Sequence, residues 1–146
     1  VCCAARRTAV LYYETTSTKP GGDTLIAQQL TASILALALV SLGAAVGGLY
    51  ARPRESARAF WFMCGMWGVL DGAIVWPSLI QEPVPVSELR GLLGINLLLQ
   101  LVYLPLGVVM ATRPRPLLKG FGWGILVQAV ALGAIDATFY LKCGSE

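Results

Sequence analysis

The chain contains no histidine. That removes the commonest metal ligand and the usual general base near neutral pH, and with them most haem, zinc and imidazole-based catalytic designs and histidine ligation of chlorophyll. Its four cysteines, Cys2, Cys3, Cys64 and Cys143, have neither CxxC nor any paired zinc-ligand spacing. Charge is scarce as well: Asp, Glu, Lys and Arg make up 13% of the residues, about half the ~25% of an ordinary soluble domain. A chain this poor in charge has too few solvated groups to cover a globule, so most of its outer surface must face a medium other than water. The net charge of +3 is too small and too scattered to be a nucleic-acid footprint.

What is present is grease. Apolar residues make up 56% of the 146, gathered in four runs at about residues 24–50, 59–80, 89–111 and 118–141, none with Lys or Arg in its interior. At roughly 1.5 Å per residue each run can cross ~30 Å of hydrocarbon as a helix. The links between runs are short, which predicts an all-α integral membrane four-helix bundle, up-down-up-down, with sequential helices as antiparallel neighbours. Asp23 and Thr24 are expected to cap the first helix.

Residues 1–23, with Arg6, Arg7, a hydroxyl cluster at 15–18 and Pro20-Gly21-Gly22, read either as a solvated arm or as the end of an organelle targeting segment. Residues 143–146 form a short tail.

The first link carries Arg52, Arg54 and Arg58 and the third carries Arg113, Arg115 and Lys119, whereas the second holds Glu82, Glu88 and Arg90. The excess of basic residues on cytoplasmic loops then puts links one and three in the cytoplasm, stroma or matrix, and both termini on the non-cytoplasmic or lumenal side. A bacterial inner membrane or an organelle membrane fits. Tyr50, Trp61 and Trp123 fall at the basic end and Trp76 and Tyr140 at the other, as interfacial belts require.

One offset of 61 residues superposes Arg52-Pro53-Arg54 on Arg113-Pro114-Arg115, Arg58 on Lys119, Phe60 on Phe121, and Gly72-Ala73-Ile74 on Gly133-Ala134-Ile135. This predicts one helical hairpin used twice in the same orientation. Small residues recur at helical spacing as Gly43 and Gly47, as Cys64, Gly68 and Gly72, and as Gly120 and Gly124, making stripes where a second backbone can approach. The third run is rich in leucine and contains Pro105, which predicts a kink near the carbonyl of Leu101.

Polar residues inside the runs are the candidate site. Asp71 lies about 18 Å from the basic end at the helical rise, near the midplane, with no Lys or Arg in the runs to pair with it. Asn96, Gln100 and Gln128 fall at similar depth and are its expected partners; Asp136 is expected nearer the far surface, within reach of Ser33 and Asn96. Such a cluster serves either as a proton or solute pathway or as interhelical hydrogen-bond glue. Leu132 replaces Asp71 at the 61-residue offset, which favours glue. Cys64 reads as a small packing residue, and Cys143 as a disulfide candidate for Cys2 or Cys3 in an oxidising compartment.

Asn96, Tyr103, Gly107, then Lys119-Gly120-Phe121-Gly122, Gln128 and Asp136, together with Phe60, Met63 and Trp67, resemble a family of small four-helix bacterial membrane proteins known only as a domain of unknown function. The resemblance covers residues 24–142 and implies the same topology; it implies no activity. The chain departs from it at Phe62, Cys64 and Gly68, where the family has polar amides, and at Asp71, where an Asn is usual.

The expected function is that of a non-catalytic accessory or structural subunit packed against a larger membrane complex, photosynthetic or respiratory. The alternative is a small carrier or lipophile-binding protein with its polar site around Asp71. No motif supplies a nucleophile with its base, paired acids at reacting distance or a metal set, so an enzyme is not expected. The expected partners are the lipid bilayer and other membrane subunits, not nucleic acid; the sequence names no cofactor, and without histidine it leaves room for a bound lipid or pigment.

Overall fold

The computed structural model describes residues 20–51, 53–80 and 85–144. They form four helices, α1 Pro20–Tyr50, α2 Glu55–Ile80, α3 Val86–Ala111 and α4 Pro116–Lys142, and no strand occurs among the described residues. The rest of the expected N-terminal arm and Arg52 lie outside the described residues.

The helices begin before the apolar runs do; in α2 and α3, for example, charged residues such as Glu55, Arg58 and Glu88 propagate the helix while their heads stay solvated. Pro116 opens α4, where proline's missing N–H would be unpaired in any case and its fixed φ already suits a helix. The early start of α1 places Asp23 and Thr24 inside the helix, so neither is its N-cap. Helix α3 continues through Pro105 to Ala111, and α2 through Pro77 to Ile80; a single proline removes one ladder bond while the turns on either side keep theirs.

Every helix is apolar around its whole circumference, and the arrangement is inverted relative to a water-soluble bundle. Val40, Val46, Ile74 and Leu98 point outward, while Ser41, Asp71, Gln100, Gln128 and Asp136 are buried. All four helices are long and apolar enough to cross a membrane.

Helix α1 packs antiparallel on α2: Gly65 lies beside Ala45 and Gly68 beside Ala38 and Leu42. Helix α3 packs antiparallel on α4, with Gly107 at Leu126 and Gly94 at Tyr140. The hairpins join through α2 and α4, which run parallel, as Ser56 meets Gly120, Met63 meets Gly124 and Asp71 meets Gln128. Around the bundle the order is therefore α1, α2, α4, α3, with α1 making light contacts to α4 and, fewer, to α3.

This corrects the expectation that every sequential pair is adjacent, since the α2 and α3 backbones make no contact. Glycine explains the choice. Gly120 and Gly124 let α4 approach α2 closely, whereas α2 and α3 are bridged by large rings, Trp67 and Tyr103, at 5.4 Å between centroids and edge to face.

The ends are sealed differently. At the end away from the α1–α2 and α3–α4 links, Ile26, Leu30, Leu89, Leu93, Phe139 and Cys143 form a buried cluster. Cys143 also caps α4 with its backbone N–H on Phe139, so it is part of the folded domain rather than of a loose tail. Its expected disulfide partners, Cys2 and Cys3, lie outside the described residues.

Candidate functional site

The polar residues of three helices converge in the interior. Gln128 and Asp136 are eight residues apart on α4, a little over two turns, and so share a face. Asp71 reaches them from α2 and Gln100 from α3. All four are buried: Asp136 is 1% exposed, Asp71 and Gln128 3% each and Gln100 7%.

Within the cluster the residues pair across helices. Gln128 Nε2 donates a short hydrogen bond to Asp71 Oδ2, joining α4 to α2. The Gln100 side chain, from α3, lies against Gly133, one turn before Asp136 on α4. Three buried polar atoms have no hydrogen-bond partner among the described residues, namely Trp67 Nε1, Gln100 Oε1 and Asp136 Oδ1.

This redistributes the expected partners. Gln128 does serve Asp71, whereas Gln100 is placed against Gly133, one turn from Asp136. Asn96, expected beside both acids, is exposed on α3 and takes no part. Ser33 turns its hydroxyl to the Gln29 carbonyl at 2.8 Å, the back-bonding common for serine in apolar helices. Depth along the axis was legible; rotation about it was not, because it depends on which helices become neighbours.

Two aromatic residues that the polar pattern overlooked complete the site. Trp67 is one turn from Asp71 and Tyr103 three residues from Gln100, so each lies on the face of the acid or amide it flanks. That i, i+4 and i, i+3 spacing was the available signal.

The glycines divide into two groups. At Gly68 a Cβ would lie 2.8 Å from the Ala38 carbonyl oxygen, at Gly120 2.7 Å from Ala59 Cβ, and at Gly124 2.8 Å from Met63 Cβ, so all three hold helices together. Gly43, Gly47 and Gly72 would meet nothing within 4 Å and take no part in internal packing. Gly122, which the stripe pattern missed, faces α3 and would put a Cβ 2.7 Å from the Gly107 carbonyl oxygen.

At the opposite end to the Cys143 cluster, Arg54, Arg58, Arg113, Arg115 and Lys119 are exposed. Between α2 and α4 there, Phe60, Trp61, Trp123 and Val127 line a shallow groove of about 440 Å³ with Lys119 at its edge. No group of three or more Cys, Asp or Glu side chains comes together among the described residues.

Fold and site together define a class: an all-α four-helix bundle, apolar outside and polar within, whose helices are of membrane-crossing length. Residues 33–137, from α1 through most of α4, match a family of unknown function, DUF6992, and the chain belongs to that family. No curated protein and no solved structure matches the chain.

Proposed function

We propose that the chain is an integral membrane, non-catalytic subunit that crosses the bilayer four times and packs against a larger membrane protein assembly. The observation that carries this reading is the outer face of α1. Ala36, Val40, Gly43, Ala44 and Gly47 recur there at helical spacing and are all exposed, and only 11% of the most apolar stretch of α1 is buried in the bundle. Among lipid-embedded helices, small residues at such spacing let another helix approach closely, which acyl chains alone do not require. The interior polar cluster acts here as glue: the Gln128–Asp71 bond ties α4 to α2 and holds the two hairpins in register.

The topology accompanying this reading puts both basic links on the cytoplasmic, stromal or matrix side and the termini opposite. It also takes the two hairpins as a tandem repeat. The meeting of Ala59 with Gly120 and of Met63 with Gly124 supports that, because each pair matches, or nearly matches, the 61-residue offset. Parallel helices related by an axis along the membrane normal meet at equivalent positions.

Gentle detergent extraction followed by native electrophoresis is the test. Wild type should run in a high-mass band, and Gly43→Leu with Gly47→Leu should release a folded free species from it. A wild-type protein found only as a free monomer or homodimer would remove the proposal.

A second reading, a small carrier or lipophile-binding protein, is favoured by the two acids buried in the interior. It requires Asp71→Asn to change solute flux in vesicles while leaving assembly intact, and unchanged flux counts against it.

A further inference from the structure

The groove between α2 and α4 changes character along its length. At its mouth stand Ser56 and the exposed Lys119; further in, the lining is Phe60, Trp61, Trp123 and Val127. From Lys119 to Val127 it runs about 12 Å along α4 at the helical rise. Its floor is closed, because Gly120 brings the α4 backbone onto α2, so near that a Cβ would lie 2.7 Å from Ala59 Cβ. One wall is fixed as well. A Cβ on Gly48 of α1 would run into the Trp61 indole, whose other neighbour is Phe60, edge to face at 4.8 Å between centroids. The indole is therefore seated against the α1 backbone and is not free to fill the groove.

We propose that this groove is a binding site for an anionic phospholipid, which lays one acyl chain along Phe60, Trp61, Trp123 and Val127 and sets its phosphate among Lys119, Arg115 and Arg54. The lipid is held without covalent change.

Charge selects the occupant. Arg115 lies one turn before Lys119, whose backbone N–H donates to the Arg115 carbonyl at 3.0 Å, so the two share a face of α4. Arg54 precedes the groove residue Ala57 by three positions and belongs to the same turn of α2, its carbonyl accepting from the Arg58 N–H at 2.9 Å. All three cations are exposed, and at this end Arg54, Arg58, Arg113, Arg115 and Lys119 face a single acid, Glu55, among the described residues. Helices α2 and α4 both start here, so the positive ends of their dipoles add to the cations. A neutral lipid would be served by any part of the apolar surface, and a docking helix would leave the cations unanswered. Cations at the mouth with rings below them instead match an amphiphile with a negative head, and basic clefts between membrane helices are where acidic head groups bind. The cleft at the other end, between α1 and α4, has Lys142 as its one lining cation, and that ammonium stands 4.8 Å from the centroid of the Phe139 ring. The inference rests on the reading of the chain as bilayer-crossing and not on its role as a subunit.

Two of the four tryptophans, Trp61 and Trp123, line the groove, and the double variant Trp67→Phe/Trp76→Phe leaves them as the reporters. In this background the full chain is reconstituted in phosphatidylcholine vesicles, and its fluorescence is quenched with brominated phosphatidylglycerol or brominated phosphatidylcholine at equal mole fractions. The anionic lipid should be preferred by more than about fivefold, and Lys119→Gln should lower that preference by about fivefold, the effect of one interfacial cation. Arg58→Gln removes the same charge at the same end from a residue outside the lining and should leave the preference within about twofold. Equal quenching by the two lipids, or an equal loss in Lys119→Gln and Arg58→Gln, would overturn the site and leave the bilayer reading standing. Absence of quenching by either lipid would remove that reading and the site together. Native mass spectrometry of the unsubstituted chain from mixed micelles of the two lipids is the second measurement should the double variant not fold: one phosphatidylglycerol should stay bound, and retention of both lipids alike would overturn the proposal.

Discussion

Gly122 on α4 and Gly107 on α3 press backbone against backbone, so closely that a Cβ on Gly122 would lie 2.7 Å from the Gly107 carbonyl oxygen. Here and along Gly120 and Gly124, α4 presents glycine to both of its principal neighbours, which is why it is the axis of the bundle. The hairpins contribute α1 and α3 to the flanks, and those flanks carry most of the exposed leucine and valine.

Gly122→Leu should therefore separate α3 from α4. Because backbone atoms rather than a movable side chain oppose the new Cβ, the expected loss is about 3 kcal/mol or more, measured as reversible unfolding in mixed micelles. Gly43→Leu, where a Cβ would meet nothing within 4 Å, should change unfolding by less than ~0.5 kcal/mol. Equal effects of the two substitutions would contradict the packing described.

Removing the partner of a buried acid should cost more than replacing the acid by its amide. Gln128→Leu leaves Asp71 without its donor and should destabilise by roughly 1–3 kcal/mol. Asp71→Asn keeps a carbonyl oxygen to accept from Gln128 and should cost under ~1 kcal/mol. A double-mutant cycle on the pair should return a coupling of about 0.6–1.7 kcal/mol, and a coupling of zero would mean that the bond contributes nothing.

Trp67 separates ring packing from polarity. Its indole N–H is buried without a partner while its ring meets Tyr103, so Trp67→Phe should retain the contact, shed the unmet donor and be neutral or slightly stabilising. Trp67→Ala should cost about 3–5 kcal/mol. Tryptophan fluorescence is ambiguous with four tryptophans, so calorimetry in detergent is the suitable measurement.

Sidedness is open to cysteine labelling from outside sealed vesicles or cells. Arg113→Cys should react only with membrane-permeant reagent and Ser87→Cys with impermeant reagent as well, since the two sit on opposite ends of α3. The reverse pattern would invert the proposed topology.

The number, length and type of helices were legible in the sequence. The four apolar runs correspond to α1–α4, with errors confined to their starts, such as Glu55 rather than Ala59 for α2. Hydropathy reports where grease begins, whereas a helix begins where its hydrogen-bond ladder can, and charged residues do not interrupt that. The candidate site was legible as a set of depths: Asp71, Gln100, Gln128 and Asp136 do gather in the interior, while Asn96 does not.

By itself the sequence determined that this chain forms long helices with little water-compatible surface, because hydrophobic content and the need to satisfy backbone N–H and C=O groups are properties of each segment alone. It did not determine which helices meet. Only the tertiary structure decided that α2 takes α4 rather than α3 as its neighbour, that Gln128 goes to Asp71, and that Gly43 and Gly47 remain outside. In helices apolar on every side, no hydrophobic stripe selects the inward face. The selection falls to glycine-sized gaps and to a few buried hydrogen bonds, and those exist only once two helices have come together.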